Sequence, residues 1–240
     1  MGGALASRTA LVTGASRGIG AGIARAFANE GARVALVARS KDRITSLADE
    51  IGGGALPVVC NITDETQVTE AAGIIRNQFG GAPDILVNNA GAFRLGRMDT
   101  IDRALFTESL MTNLMGPFLM VREFLGEMRE RRRGHIVTIG SVADKFAFAE
   151  NGPYAMSKFG LRAMHEVMLA ELKGTGVKST LISPSAVNTD LWDPIDTESG
   201  NAPFPKRAAM LPVDIVAGAV VFAVTQPPGV NVDELRLTSG

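Results

Sequence analysis

Tyr154 and Lys158 stand four residues apart in the segment NGPYAMSKFG (151–160), and Tyr154 is the chain's one tyrosine. A phenol exchanges a proton with a reference pKa near ~10, too high for easy return at neutral pH. A nearby ammonium stabilises the phenolate and lowers that value. Positions i and i+4 share one helix face, so at a helix start the pair points into a single cleft. The helix N-terminus favours the phenolate too. This spacing suits proton delivery to an oxygen that is gaining negative charge. Taken alone, it also describes a surface tyrosine beside a solvated lysine.

A second group of residues suits phosphate. TGASRGIG (13–20) follows an apolar run and carries Gly14, Gly18 and Gly20. Gly14 permits a tight turn, Gly18 removes a side chain from the path of a pyrophosphate, and Gly20 lets a helix lie close to its strand. The free N–H groups at the start of that helix then face the phosphates. A second apolar run ends VALVARSKD, with Arg39 and Ser40 at its tip and no carboxylate there to accept from a ribose 2′-hydroxyl. Arg17 lies in the glycine turn. Two guanidiniums and the Ser40 hydroxyl converging on a 2′-phosphate predict NADP(H) over NAD(H). The plainer alternative is that both arginines are solvated.

These groups need a scaffold, and the apolar patterning supplies one. TALVT (9–13), VALVA (34–38), LPVVC (56–60), DILVN (84–88), HIVTI (135–139), VKSTLIS (177–183) and VDELRL (232–237) read as short strands, several apolar on both faces. That suits a parallel sheet covered on both sides. Helical patterns at 18–30, 40–51, 64–79, 102–131, 155–173 and 213–225 alternate with them. The expected fold is α/β, a doubly wound (Rossmann) parallel sheet with helices on both faces, forming one domain over 1–240. Residues 188–212, with four prolines and no long periodic pattern, break the rhythm. They leave the carboxyl end of a strand, which favours a substrate lid over a surface insertion.

Composition narrows the function. The net charge of −1 gives no field that would favour nucleic acid or an acidic membrane. Arg129, Arg131, Arg132 and Arg133 read as the end of a helix, where cations meet the negative dipole end. The single Cys60 forbids an internal disulfide, and two histidines without a CxxC argue against a metal site. The longest apolar run, AVVFAV (219–224), is far below the ~20 residues of a membrane span. The first ten residues lack a secretory pattern, and Ala6 stands where a myristoylation signal wants Ser or Thr. The expectation is a cytoplasmic protein that binds neither nucleic acid nor membrane.

TGASRGIG, NNAG (88–91), Asn113, Ser141 and YAMSK (154–158) in this order resemble the short-chain dehydrogenase/reductase family over nearly the whole chain. The resemblance implies seven strands in the order 3-2-1-4-5-6-7 and reversible hydride transfer between a nicotinamide and a carbonyl or alcohol. It implies that Tyr154 is the general acid/base, that Lys158 lowers its pKa and binds the nicotinamide ribose, and that Ser141 holds the substrate oxygen. Asn113, an amide interrupting an apolar helix, would anchor a water in a proton relay. Ser16 and Ile19 would join Gly14, Arg17, Gly18 and Gly20 at the phosphates. Asn61 and Ile62 would flank the adenine, and Asn88, Ala90 and Gly91 would serve the ribose. Pro184, Val187 and Thr189 would lie along the nicotinamide.

Ser185 departs from the glycine that often follows Pro184's position in the family. The substrate wall would come from VADKFAFAEN (142–151), namely Ala143 and Phe148 with Phe146 beside them, and from Phe93, Ser185 and Trp192. The phenylalanines could equally belong to the core or to a subunit contact. The resemblance implies a homotetramer or homodimer through the helices at 102–131 and 155–173. The implied activity is an NADPH-dependent carbonyl reductase, or the reverse alcohol dehydrogenase. The competing readings are a 3-oxoacyl reductase acting on a carrier-bound thioester, with Arg94 and Arg97 in a docking patch, and a catalytically silent NADP(H)-binding regulator. The tail VNVDELRLTSG lacks the Gly-Gly finish of acyl-carrier reductases. It looks more like members acting on small hydroxy acids, amino-acid alcohols or sugars.

Overall fold

The computed structural model describes residues 3–198 and 204–239. Seven strands form one parallel sheet in the order β3-β2-β1-β4-β5-β6-β7. They are β1 (Thr9–Thr13), β2 (Arg33–Ala38), β3 (Leu56–Val59), β4 (Ile85–Asn88), β5 (Gly134–Ile139), β6 (Val177–Pro184) and β7 (Glu234–Leu237). Helices α1 (Gly18–Asn29), α2 (Lys41–Ile51), α3 (Glu65–Phe79), α4 (Arg103–Leu110), α5 (Gly116–Glu130), α6 (Gly152–Glu171) and α7 (Val213–Val224) cover both faces. The expected fold class and strand order are those observed.

The central strands are buried on both sides because neighbours in sequence serve opposite cores. Ala10 and Val12 of β1 are buried among residues of α1, α2 and α7, whereas Leu11 is buried among those of α3 and α5. Asp64 and Asp102 start α3 and α4 by accepting from the backbone N–H of Gln67 and Leu105. Gly80 ends α3 in the left-handed conformation that closes a helix most cheaply.

Two boundaries moved for local reasons. The helix expected over 155–173 begins at Gly152, because Pro153 fits the first turn, where its missing N–H is not needed. Tyr154 is therefore the third residue of α6. The helix expected over 102–131 is interrupted by a π turn, Met111–Met115, with Asn113 buried at its centre. Apolar periodicity continues through that turn, so the sequence pattern gave no sign of it.

The arginine cluster is structural. Arg131 donates to the carbonyls of Ala82, Pro83 and Arg133, and Arg133 pairs with buried Asp84 at 2.6 Å. Asp84 also accepts from the Thr9 N–H, so the cluster ties the end of α5 to the starts of β1 and β4.

His135, in β5, lies 2.8 Å from Thr180 Oγ1 and is 5% exposed. Burial, then the charges of Lys178 and Arg8, hold its pKa down at about 3. The unfolded chain takes up this proton near pH ~6.5 and the folded protein does not. Stability from this group is therefore intact above pH ~6.5 and is lost as pH falls towards 3, by roughly 3 kcal/mol at pH ~4. His135→Gln should flatten the acid side of a plot of urea midpoint against pH. An unchanged acid side would assign acid sensitivity to the carboxylates instead.

Candidate active site

The carboxyl ends of the central strands open on a cleft of about 1250 Å³. It lies where β1 and β4 are neighbours and the chain departs in opposite directions, the position at which such sheets bind ligands. The glycine turn forms one bank. Gly14 has φ +66°, and a Cβ there would sit 2.8 Å from the Ala90 Cα. A Cβ on Gly20 would lie 2.4 Å from the Gly14 carbonyl oxygen, so only glycine lets α1 start this close to β1. Asn89 Nδ2 donates to the Thr13 carbonyl at 2.8 Å and fastens the turn to β4. The sequence reading had covered Asn89 only as part of NNAG.

Gly14, Ser16, Arg17, Gly18 and Ile19 line the cleft, and no acidic residue stands in the first turn of α1. Arg39 and Ser40 line the far end, with Asn61 and Ile62 next to them. Ser40 is the N-cap of α2 but makes no side-chain capping bond, so its hydroxyl is uncommitted. Arg43, one turn into α2, also lines this end and was missed because it sits inside a helical pattern. Arg17 lies 3.8 Å from Asp190 across the cleft, both about half exposed. Cys60 is buried, and burial pushes its thiol up to about 11, which leaves it unreactive.

Ser141, Tyr154 and Lys158 meet at the other end. Lys158 is buried and donates to the Ile139 carbonyl at 2.9 Å, with Nζ 5.6 Å from the centre of the Tyr154 ring. Burial pulls its ammonium down to about 8, while the Asp144 carboxylate resists. The Tyr154 phenol is pushed up to about 12 by burial, with a hydrogen bond to Ser141 pulling down and Asp144 pushing further up. The expected lowering of the phenol by Lys158 is thus not met in this structure. Desolvation in the cleft dominates, ahead of the Ser141 hydrogen bond and the Asp144 charge.

Behind this trio lies an ionic network absent from the sequence reading. Arg162, one turn after Lys158, pairs with Asp144 at 3.0 Å and with Glu234 of β7 at 2.9 Å, and Lys145 joins Glu234 at 2.8 Å. Ser183 donates to the second Asp144 oxygen. Asp144 is 1% exposed.

Three candidates lie off the cleft wall. Gly20 serves the helix–strand approach, and Asn88 is buried in β4. Asn113 accepts from the Ala92 N–H at 2.7 Å and donates to the Ala92 carbonyl at 2.9 Å and to Ser157 Oγ at 3.0 Å. Both amide protons of Asn113 are therefore committed to protein groups.

Ala90, Gly91, Pro184, Val187 and Thr189 line the cleft. Ser185 lines it too, and its Oγ is buried with no hydrogen-bond partner in the protein. Phe93, Ala143, Phe148 and Trp192 line the reacting end, whereas Phe146 is 56% exposed under Arg236 and stands off the cleft. Within 188–212, residues 199–203 lie outside the described residues. The described parts fold back over the cleft, tied by Arg207 to Asn188 and Asp193 and by Leu211, whose N–H donates to the Ala186 carbonyl and whose carbonyl accepts from the Asn188 N–H.

A dinucleotide fits this lining. The glycine turn leaves room beside a helix start, the basic end faces a free hydroxyl, and the orphaned Ser185 Oγ waits near the reacting end. Among the described residues no cluster of His, Cys, Asp or Glu could hold a metal ion, and no helix is long and apolar enough to cross a membrane.

Comparison with known proteins agrees with this geometry. A family described as short chain dehydrogenase matches residues 8–200. A D-threitol dehydrogenase from Mycolicibacterium smegmatis is 35% identical, covering 98% of this chain and 93% of its own. A farnesol dehydrogenase from Aedes aegypti is 34% identical, covering 97% of this chain and 96% of its own. A solved metagenomic short-chain oxidoreductase in complex with NADP superposes with a TM-score of 0.84 at 31% identity, covering 99% of each chain.

Proposed function

The chain belongs to the short-chain dehydrogenase family and is an oxidoreductase, and from that premise we propose that it interconverts a carbonyl and a secondary alcohol with NADP(H). The observation that carries this reading is the meeting of Ser141, Tyr154 and Lys158 at one end of a cleft whose other end is a glycine turn. When bound, the nicotinamide supplies or removes the hydride at carbon. The protein handles the oxygen and its proton.

Tyr154 is the acid. Its phenol, near 12, stays protonated at neutral pH and still gives its proton readily to an alkoxide. Ser141 Oγ stands beside it as a second donor to the same oxygen. Lys158 is held by the Ile139 carbonyl, with its ammonium 5.6 Å from the centre of the phenol ring. In the oxidising direction Tyr154 takes the proton back. NADPH consumption by the purified protein with a panel of ketones tests the reading, and bound NADPH with no turnover would favour the silent regulator.

Arg39, Arg43 and Ser40 support NADP(H) over NAD(H), and the metagenomic relative was solved with NADP. Arg39→Asp should weaken NADPH binding by ~10–100-fold, the loss of one charge-assisted contact and the gain of a repulsive carboxylate. NADH binding should hold or improve. Equal losses for the two cofactors, measured by fluorescence titration, would remove Arg39 from the phosphate site.

Carrier-bound substrates are the weaker reading, because Arg97 is paired with Asp99. Exposed Phe106, Phe118, Phe159 and Val167 on α4, α5 and α6 support association of copies through these helices. Sedimentation should find two or four chains together, and a monomer at micromolar concentration would refute it.

A further inference from the structure

The reacting end of the cleft has a wall of aromatic rings. Phe93 lies edge-on to Tyr154 with ring centres 4.7 Å apart and edge-on to Trp192 at 5.3 Å. Phe204 closes the group, 5.3 Å from Trp192 and 5.7 Å from Phe148. All four phenylalanine and tryptophan rings line the cleft. They come from three separate places: the loop after β4, the loop after β5, and the segment after β6. Ala143, Ala149, Ala186 and Leu191 also line the cleft, together with the unpaired Ser185 Oγ. The rings are therefore a wall assembled around the one oxygen site that Ser141 and Tyr154 define.

The charges point the same way. Among the described residues, the charged side chains lining the cleft are Arg17, Arg39, Arg43, Glu108, Glu150, Lys158 and Asp190. The three arginines belong to the phosphate end, and Asp190 faces Arg17. Lys158 is committed to the Ile139 carbonyl. That leaves two glutamates and no spare cation for a substrate carboxylate.

We propose that this site takes a neutral carbonyl carried next to a ring or a branched apolar group, and selects against polyols, keto acids and carrier-borne thioesters. The inference rests on the carbonyl–alcohol reading above and adds its substrate class. Each methylene buried against such a wall improves binding by about fourfold. Each substrate hydroxyl left without a partner there costs roughly tenfold. A chain carrying more hydroxyls than the Ser185 Oγ can pair therefore loses on both counts.

Trp192 is the only tryptophan and lines the site, so its emission reports ligand binding without any turnover. The test is a titration of the protein, saturated with NADP+, with cyclohexyl methyl ketone, erythrulose and pyruvate, with NADPH oxidation measured on the same three compounds. Phe148→Ala is the paired variant, because that ring is 44% exposed and its loss leaves the core intact. The expected result is saturable quenching by the cyclohexyl ketone at concentrations at least 100-fold below those needed for erythrulose or pyruvate. Phe148→Ala should cut that preference at least tenfold in both binding and kcat/KM. Turnover of erythrulose or pyruvate equal to or better than the cyclohexyl ketone would overturn the apolar class while leaving the oxidoreductase reading standing. A preference untouched by Phe148→Ala would overturn the role of the ring wall. Bound NADPH with no turnover of any of the three would sink the carbonyl–alcohol reading, and the proposal with it.

Discussion

Tyr154→Phe should lower kcat for ketone reduction by about 10³-fold, with NADPH affinity roughly unchanged. The substitution removes one oxygen and keeps the ring, so the edge-on contact with Phe93 survives. No neighbour can take over the proton. Lys158, held near 8, directs a proton to the Ile139 carbonyl rather than to the substrate side. Ser141 is a far weaker acid than a phenol, and its Oγ already accepts from the Ala143 N–H at 3.1 Å. The ring keeps its packing against Phe93, so the urea midpoint should barely move. Stopped turnover with an intact fold and an intact cofactor site is the combination that a structural role for Tyr154 would not produce. Turnover within tenfold of the parent would transfer the proton to Lys158 or to solvent.

The raised phenol bears on direction. A group near 12 is fully loaded with its proton at neutral pH, which suits reduction. The oxidising direction needs the phenolate, and burial together with Asp144 opposes it. Asp144 does not face solvent; it pairs with Arg162, and Glu234 holds Arg162 from the far side. The network thus links the edge strand β7 to the proton chemistry in the cleft.

Local signals made most of this molecule legible. Strands announced themselves because a sheet covered on both faces is rich in apolar residues on both, as in ILV of β4, although β5 and β6 also bury His135, Ser179 and Thr180. The glycine turn was readable because Gly14 and Gly20 have steric reasons to lack a Cβ that any βα turn onto a ligand shares. Ser141, Tyr154 and Lys158 were named from an ordered set of motifs, and the fold brings them together at one end of the cleft. What stayed hidden depends on long-range geometry. Asp144, Arg162 and Glu234 meet from positions as much as 90 residues apart. Phe148 and Phe146 are two residues apart and alike in type, yet one lines the cleft and the other does not. The sign of the Tyr154 shift depends on how dry the cleft is, and no spacing reveals that.

Asn113→Leu should destabilise the protein by about 3 kcal/mol, from three polar groups that each lose a partner. Ser157 Oγ is fully buried, and the Ala92 N–H and carbonyl are partly buried. Leucine has the same branching and leaves no cavity, so the loss would come from unpaired polar groups. The π turn explains why an amide stands there. A π turn is a local break in the i→i+4 pattern, often found at functional sites, and here it sets Asn113 between the loop after β4 and α6. Ser157, which receives one amide proton from Asn113, donates its own to the Tyr154 carbonyl at 2.7 Å. Asn113 therefore positions the first turn of α6, and through it the phenol. A residue that only anchored a relay water would behave differently: its loss would lower kcat and leave the urea midpoint in place. Asn113→Asp separates the two roles, since it keeps the acceptor for the Ala92 N–H and removes both donors. Its midpoint should fall part of the way, and kcat should fall with it if alignment of Tyr154 is what Asn113 provides. A midpoint equal to the parent's, with turnover lost, would return Asn113 to the relay.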